Sequence, residues 1–171
     1  MAKMNVDPSN KLINIVTCLV QHYNPRKYWN RREIVVDPNN KTPKLIKLWY
    51  LFYIKRCDAY NNASFGTDLN QGAVFGSRPT TPHGLNGIIV HMKARIGINC
   101  TIYHQVTIAS SNGGTPVIGD NVLIGSGAKV LGGVTIGNNV KIGANAVVVH
   151  DIPDNCTVVG VPAKIVKRAE G

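Results

Sequence analysis

Residues 118–147 read IGDNVL IGSGAK VLGGVT IGNNVK IGANAV, five consecutive phrases of six residues. An aliphatic residue opens each phrase, glycine often follows, and a small or branched residue returns four places later. The same register extends backwards through IGINCT and IYHQVT, from Ile96, and forwards into VVHDIP, from Val148. A period of six fits neither a helix, with 3.6 residues per turn, nor a plainly alternating strand. It fits a solenoid in which each phrase is one short strand plus a turn, three phrases closing a triangular coil. The opening aliphatic fills the interior, and the glycine is expected to supply the turn geometry.

Composition agrees with this reading. Of 171 residues, 44% are apolar and 16% charged, as in a folded chain, yet aromatics are only 6% beside 17 glycines. A core without large rings must be filled by small branched side chains, which a repetitive β architecture does. Cys18, Cys57, Cys100 and Cys156 are scattered without a CxxC pair, so they read as apolar fillers in a reducing, cytoplasmic setting. The longest apolar run, Leu45 to Ile54, is too short to span a bilayer, and the polar opening residues lack a signal-peptide pattern.

Residues 1–62 read as a separate N-terminal helical segment, and 63–171 as the solenoid. Leu12, Ile15, Val16 and Leu19 predict a helix over Lys11–Gln21, and Pro43 opens a second over Lys44–Tyr60. Between them, Asn24 to Thr42 reads as a basic connection rich in Pro and Asn. Residues 1–58 hold eleven Lys or Arg against four acids, out of a formal net charge of +10 for the chain. Such a patch could steer the protein to an anionic membrane face, a peripheral contact; no nucleic-acid module accompanies it.

Two breaks interrupt the period. Four extra residues between Ile108 and Ile118 predict a loop extruded over 109–117, and three extra precede Val90, around Pro82-His83-Gly84. With three phrases per coil, residues 18 apart stack unless a loop intervenes. The third places of successive phrases then align as one outward column: His83, His104, Ser126, Ala144.

From Asp68 to Ala169 the sequence resembles the serine acetyltransferases and their polysaccharide-modifying relatives among the hexapeptide acyltransferases. Asp68-Leu69, Phe75-Gly76, His83 with Gly87-Ile88-Ile89-Val90, Val106-Thr107-Ile108, Ile124 to Gly132 and Gly160-Val161-Pro162-Ala163-Lys164-Ile165-Val166 carry the likeness. The resemblance implies a left-handed parallel β-helix, a homotrimer with clefts between neighbouring solenoids, acetyl-CoA as donor and a hydroxyl as acceptor. It places the essential histidine on His83, with CoA contacts at Ser110, Ser126 and Ala144. Lys164, beside Lys167 and Arg168, suits the nucleotide phosphates. No metal is expected.

Imidazole ordinarily titrates near working pH, which suits a base that takes a proton from an alcohol. His83 is the expected base, His104 a second catalytic histidine that holds a reacting group or serves as base itself, and Asn86 or a backbone carbonyl the group orienting His83. Several departures speak against serine as acceptor, among them a shorter extruded loop and about 60 unlike N-terminal residues in place of a long helical domain. Pro82 and Met92 stand where the resembling enzymes carry acids, and Thr115 where they carry a second histidine. The expected activity is therefore O-acetylation of a sugar hydroxyl in polysaccharide assembly. Serine O-acetylation is the alternative, and a γ-carbonic-anhydrase-like zinc site on His83, His91 and His104 a remoter one.

Overall fold

A computed structural model of the chain describes residues 18, 20 and 22–168. The hexapeptides form a three-sided prism of parallel strands. One face stacks Ile89–Val90, Thr107–Ala109, Lys129–Leu131 and Val147–Val148; a second stacks Val74–Phe75, Arg95–Ile96, Val117–Ile118 and Thr135–Ile136. The third stacks Thr101–Ile102, Leu123–Ile124, Lys141–Ile142 and Cys156–Val159, and is closed by the antiparallel strand Lys164–Arg168. Register follows the repeat: Ile102 pairs with Ile124, Ile124 with Ile142, and Ile142 with Val158. The 109–117 insertion leaves the strands on either side in register, since Ile96 pairs with Ile118 and Ile118 with Ile136.

Two kinds of inward position fill the prism. Ile96, Ile102, Ile108, Ile118, Ile124, Val130, Ile136, Ile142 and Val148 open their phrases and are buried. Cys100, Val106, Val122, Ala128, Val134, Val140 and Ala146 return four places later and are buried too. Four small side chains of free thiol type are thus spread through the molecule, with Cys57, Cys100 and Cys156 buried.

The turns correct one expectation. Glycine in the second place of a phrase is required by close approach of coils, not by turn geometry. A Cβ on Gly119 would lie 2.9 Å from the Gly137 carbonyl carbon, and one on Gly125 2.7 Å from the Ala144 nitrogen. At two of the three corners the left-handed residue is the fourth of the phrase, and at one of them it is asparagine: Asn99, Asn121, Asn139 and Asn155 have φ of 55°, 56°, 57° and 59°. Asparagine tolerates this conformation and adds an amide ladder. Asn99 donates to Asn121 at 2.9 Å, Asn121 to Asn139 at 3.1 Å, and Asn139 to Asn155 at 2.9 Å.

The stretch read as a basic connection contains a helix. Helix α1, Pro25–Val36, begins where the Asn24 side chain accepts from the Lys27 N–H and Pro25 takes the first helical position. That Asn-Pro pair is a helix-start signal present in the sequence. Helix α2 spans Lys44–Tyr60, as its apolar spacing predicts. The helix expected over Lys11–Gln21 lies outside the described residues, apart from Cys18 and Val20. Among the described residues no helix is long and apolar enough to cross a membrane.

The aromatic residues gather where the helices meet the prism. Trp29 packs edge-on against Phe65 and Phe75, and Tyr28 against Trp29. Arg32, 3% exposed, joins α1 to the base of the solenoid by donating to the Thr67 hydroxyl and to the carbonyls of Phe65 and Ala73. Lys47 of α2 donates to the Asp37 carbonyl and the Asn70 amide oxygen. The Tyr28 hydroxyl donates to Asp58 Oδ1 at 2.7 Å, while Asp58 Oδ2 has no hydrogen-bond partner. Burial pushes the Asp58 carboxyl up from 3.8 to about 6, against the Tyr28 hydrogen bond and the charges of Lys55 and Arg32.

Two outcomes are expected. The raised Asp58 pKa favours the folded state in full below the ordinary carboxylate range, and that contribution is lost as pH rises through about 6. Asp58→Asn should therefore gain stability relative to the parent between about pH 4 and pH 7, by on the order of 2–3 kcal/mol, in paired denaturation curves. At the asparagine corner, Asn121→Ala should cost about 2 kcal/mol and Asn121→Gly roughly half that, since glycine keeps the left-handed backbone. Equal losses in the two variants would contradict the conformational account.

Candidate active site

The corner between the third and first faces carries the chemistry. Here Gln105, Gly127 and Asn145 are the left-handed residues, with φ of 59°, 72° and 57°. The residue before each, His104, Ser126 or Ala144, is turned outward, so the three form a vertical row. Backbone bonds hold the row in step: Gly127 N–H donates to the His104 carbonyl and Asn145 N–H to the Ser126 carbonyl.

His83 joins the row from the coil below. Its segment leaves the prism after Thr80, which bridges to Thr101, and returns at Ile88. Two left-handed glycines, Gly84 and Gly87, bend it, and Leu85 is buried as its anchor. Gly87 N–H donates to the Asn61 carbonyl beyond α2, and the Asn86 carbonyl accepts from Gln105 N–H. The segment is thus fastened both to the helical layer and to the coil above. Because the insertion is three residues long, the 18-residue spacing becomes 21, the separation of His83 from His104.

The two imidazoles meet directly. Their Nδ1 atoms are 2.6 Å apart, with ring centroids 4.7 Å apart and planes inclined by 38°. His104 Nδ1 also lies 3.3 Å from Ser126 Oγ. Tyr103 packs its ring edge-on to His83 at 5.7 Å. Asn86, a candidate for orienting His83, instead offers its carbonyl to Gln105; the group on the His83 ring is His104. The sequence contained this contact only as a sum of spacings, and Tyr103 was missed because a half-buried aromatic beside a histidine has no sequence signature.

Other expected site residues lie elsewhere. Ser110 is exposed and follows Thr107–Ala109, at the next corner of the prism. Lys164 opens the terminal antiparallel strand and is exposed. It follows a turn fastened to Val147, where Ala163 N–H donates to the Val147 carbonyl, close in the chain to the top of the row. His91 is turned to its own backbone, its Nδ1 accepting from Lys93 N–H. It does not join the pair. Among the described residues, no group of three or more His, Cys, Asp or Glu is placed to hold a metal ion.

Comparison with known proteins bears on the chemistry. Residues 115–150 match the family model described as bacterial transferase hexapeptide (six repeats). The serine acetyltransferase of Mycobacterium tuberculosis is 44% identical over 109 residues, covering 61% of this chain and 47% of that protein. The crystal structure of Neisseria gonorrhoeae serine acetyltransferase in complex with serine superposes with a TM-score of 0.59 at 39% identity, over 71% of this chain and 49% of that one. A serine acetyltransferase in complex with CoA gives a TM-score of 0.65 at 26% identity, over 84% and 58%. The chain spans about half the length of the curated relatives it matches.

These relatives overturn the expected sugar acceptor. That expectation rested on departures in the extruded loop, the N-terminal segment and at Pro82, Met92 and Thr115, whereas the likeness to serine acetyltransferases runs over 109 residues. Loss of individual polar groups weighs less than agreement over so long a stretch. In sequence and fold the solenoid is a left-handed parallel β-helix similar to that of the hexapeptide acyltransferases, and among them to serine acetyltransferases.

Proposed function

We propose that the chain is an acyltransferase that moves the acetyl group of acetyl-CoA to the hydroxyl of serine. The observation that carries this reading is the likeness to serine acetyltransferases, 44% identity over 109 residues and a TM-score of 0.65 over 84% of the chain, in a molecule whose solenoid bears the His83–His104 row. His83, exposed at the foot of the row, is the general base. Its ring accepts the serine hydroxyl proton as the oxygen attacks the thioester carbonyl carbon. The new C–O bond forms, the tetrahedral centre collapses with cleavage of the C–S bond, and the proton passes from His83 to the departing CoA sulfur. The products are O-acetylserine and CoA, and no acyl-enzyme is formed. Backbone N–H groups at the corner are suited to hold the developing oxyanion.

Small side chains along Ser126 and Ala144 leave a slot for the pantetheine arm, while Ser110 and Lys164 offer polar contacts to the rest of CoA. A homotrimer, with each cleft lined by two solenoids, completes the reading, since a row on an outer corner is otherwise walled on one side only.

Incubation of the purified chain with acetyl-CoA and L-serine should release CoA thiol in a serine-dependent manner. His83→Ala should lower kcat about 100-fold or more, the usual scale for loss of a general base. Absence of serine-dependent release would overturn the proposal. Ala144→Phe, at an exposed position, should raise KM for acetyl-CoA at least about 10-fold while leaving the melting temperature unchanged.

A further inference from the structure

The contact between two ring nitrogens carries more than proximity. A separation of 2.6 Å between His83 Nδ1 and His104 Nδ1 accommodates one hydrogen. Two facing lone pairs repel, and two facing N–H groups collide. One imidazole must therefore be protonated at Nδ1 and the other must offer a lone pair there, so the neutral rings hold opposite tautomers. The ring that donates through Nδ1 is left with its own lone pair at Nε2, and that ring alone can act as a base at Nε2.

The proposed chemistry chooses between the two arrangements, since only the ring that donates through Nδ1 keeps a free Nε2 lone pair and His83 is the proposed base. The Ser126 hydroxyl oxygen stands 3.3 Å from His104 Nδ1. A lone pair at that atom receives the His83 N–H and lies within reach of the Ser126 hydroxyl as a second donor. With the hydrogen on His104 instead, its N–H would point to His83 and the Ser126 hydroxyl would be the longer, second acceptor. Among the described residues His83 makes no other side-chain hydrogen bond, so His104 alone decides where its proton resides.

We infer that His104 is a positioning residue: its Nδ1 accepts the His83 Nδ1–H and so holds His83 in the tautomer with a free Nε2 lone pair. This role rests on the proposed acyl transfer with His83 as base. A neutral imidazole fixes ring orientation and proton position as a carboxylate does, without adding negative charge to the cleft. When His83 takes the acceptor's proton at Nε2, the resulting cation remains hydrogen-bonded through Nδ1. An imidazole without that partner divides between both tautomers, and the fraction protonated at Nε2 cannot accept a proton there. Tyr103, edge-on to the His83 ring, walls one side of the arrangement.

Long-range proton–nitrogen correlation spectra of the whole chain, labelled with 15N-histidine and without substrate, read this directly. Assignment comes from His83→Ala and His104→Gln. At a pH where both rings are neutral, His83 should show Nδ1–H and His104 Nε2–H. His104→Leu should remove the His83 Nδ1–H signature and lower kcat about 10- to 100-fold, with KM for acetyl-CoA changed less than about two-fold. His104→Gln, whose amide oxygen can accept, should restore both the signature and most of kcat. His83 protonated at Nε2 in the parent protein, an unchanged His83 spectrum in His104→Leu, or a glutamine variant no better than leucine would each overturn the inference. Because the spectra need no acceptor, failure to acetylate serine would count against the proposed reaction while leaving the tautomer reading intact.

Discussion

Stacking of one coil on the next governs this molecule. Parallel strands hydrogen-bond at a spacing of roughly 4.8 Å, and a closed three-sided coil offers every strand a neighbour only above and below. Each hexapeptide must therefore repeat the same inward pair, one large aliphatic and one small residue, or the next coil cannot seat. The demand reaches the backbone: second-place glycines such as Gly119 and Gly125 leave no room for a Cβ because the coil above passes within van der Waals distance. Insertions are tolerated only at corners, where the 109–117 and 81–88 segments leave the prism without disturbing the strands on either side.

The same stacking builds the site. A corner row brings residues 21 and 22 apart in the chain into hydrogen-bonding distance, His83 with His104 and His104 with Ser126. From His104 to Ala144 backbone bonds between coils hold the row, and the 81–88 segment sets His83 beneath it. The helical layer contributes from below. The Asn61 carbonyl beyond α2 receives Gly87 N–H, which ties the His83 segment to the cluster around Tyr28, Arg32 and Asp58. Rigidity at the base of the row thus comes from buried polar contacts and rings, while its upper part is held by coil repetition.

Most of the prism was legible in the sequence because its constraint is periodic and local. The inward Ile and Val positions, the extruded loop and the alignment of His83, His104, Ser126 and Ala144 follow from counting in sixes. The rest obeys different physics. Helix α1 was obscured by its Pro- and Asn-rich surroundings, although Asn24-Pro25 marked its start. The asparagine ladder was present as a repeated fourth-place residue, but stacking of its side-chain amides is a contact between coils that the six-residue period does not state. Lys44–Tyr60 reads as apolar on most sides; even so, Leu45, Trp49 and Phe52 are exposed, because the prism and α1 cover only one flank of the helix. The acceptor was misread because positions such as Pro82, Met92 and Thr115 outweighed likeness over 109 residues, and single side chains of that kind are what a repeat pattern does not encode.

The terminal strand Lys164–Arg168 has a consequence for assembly in the cell. A parallel stack presents, at its last rung, a row of unpaired amides that could template another chain and so propagate end to end. Here the third face of that rung is met by a strand running the opposite way, exposed and bearing Lys164, Lys167 and Arg168. Its direction breaks the parallel pattern, and its cations repel a second copy. At the other extremity the helices occupy the corresponding place. Among the described residues, the repeating stack therefore meets a strand of opposite direction at one extremity and helices at the other.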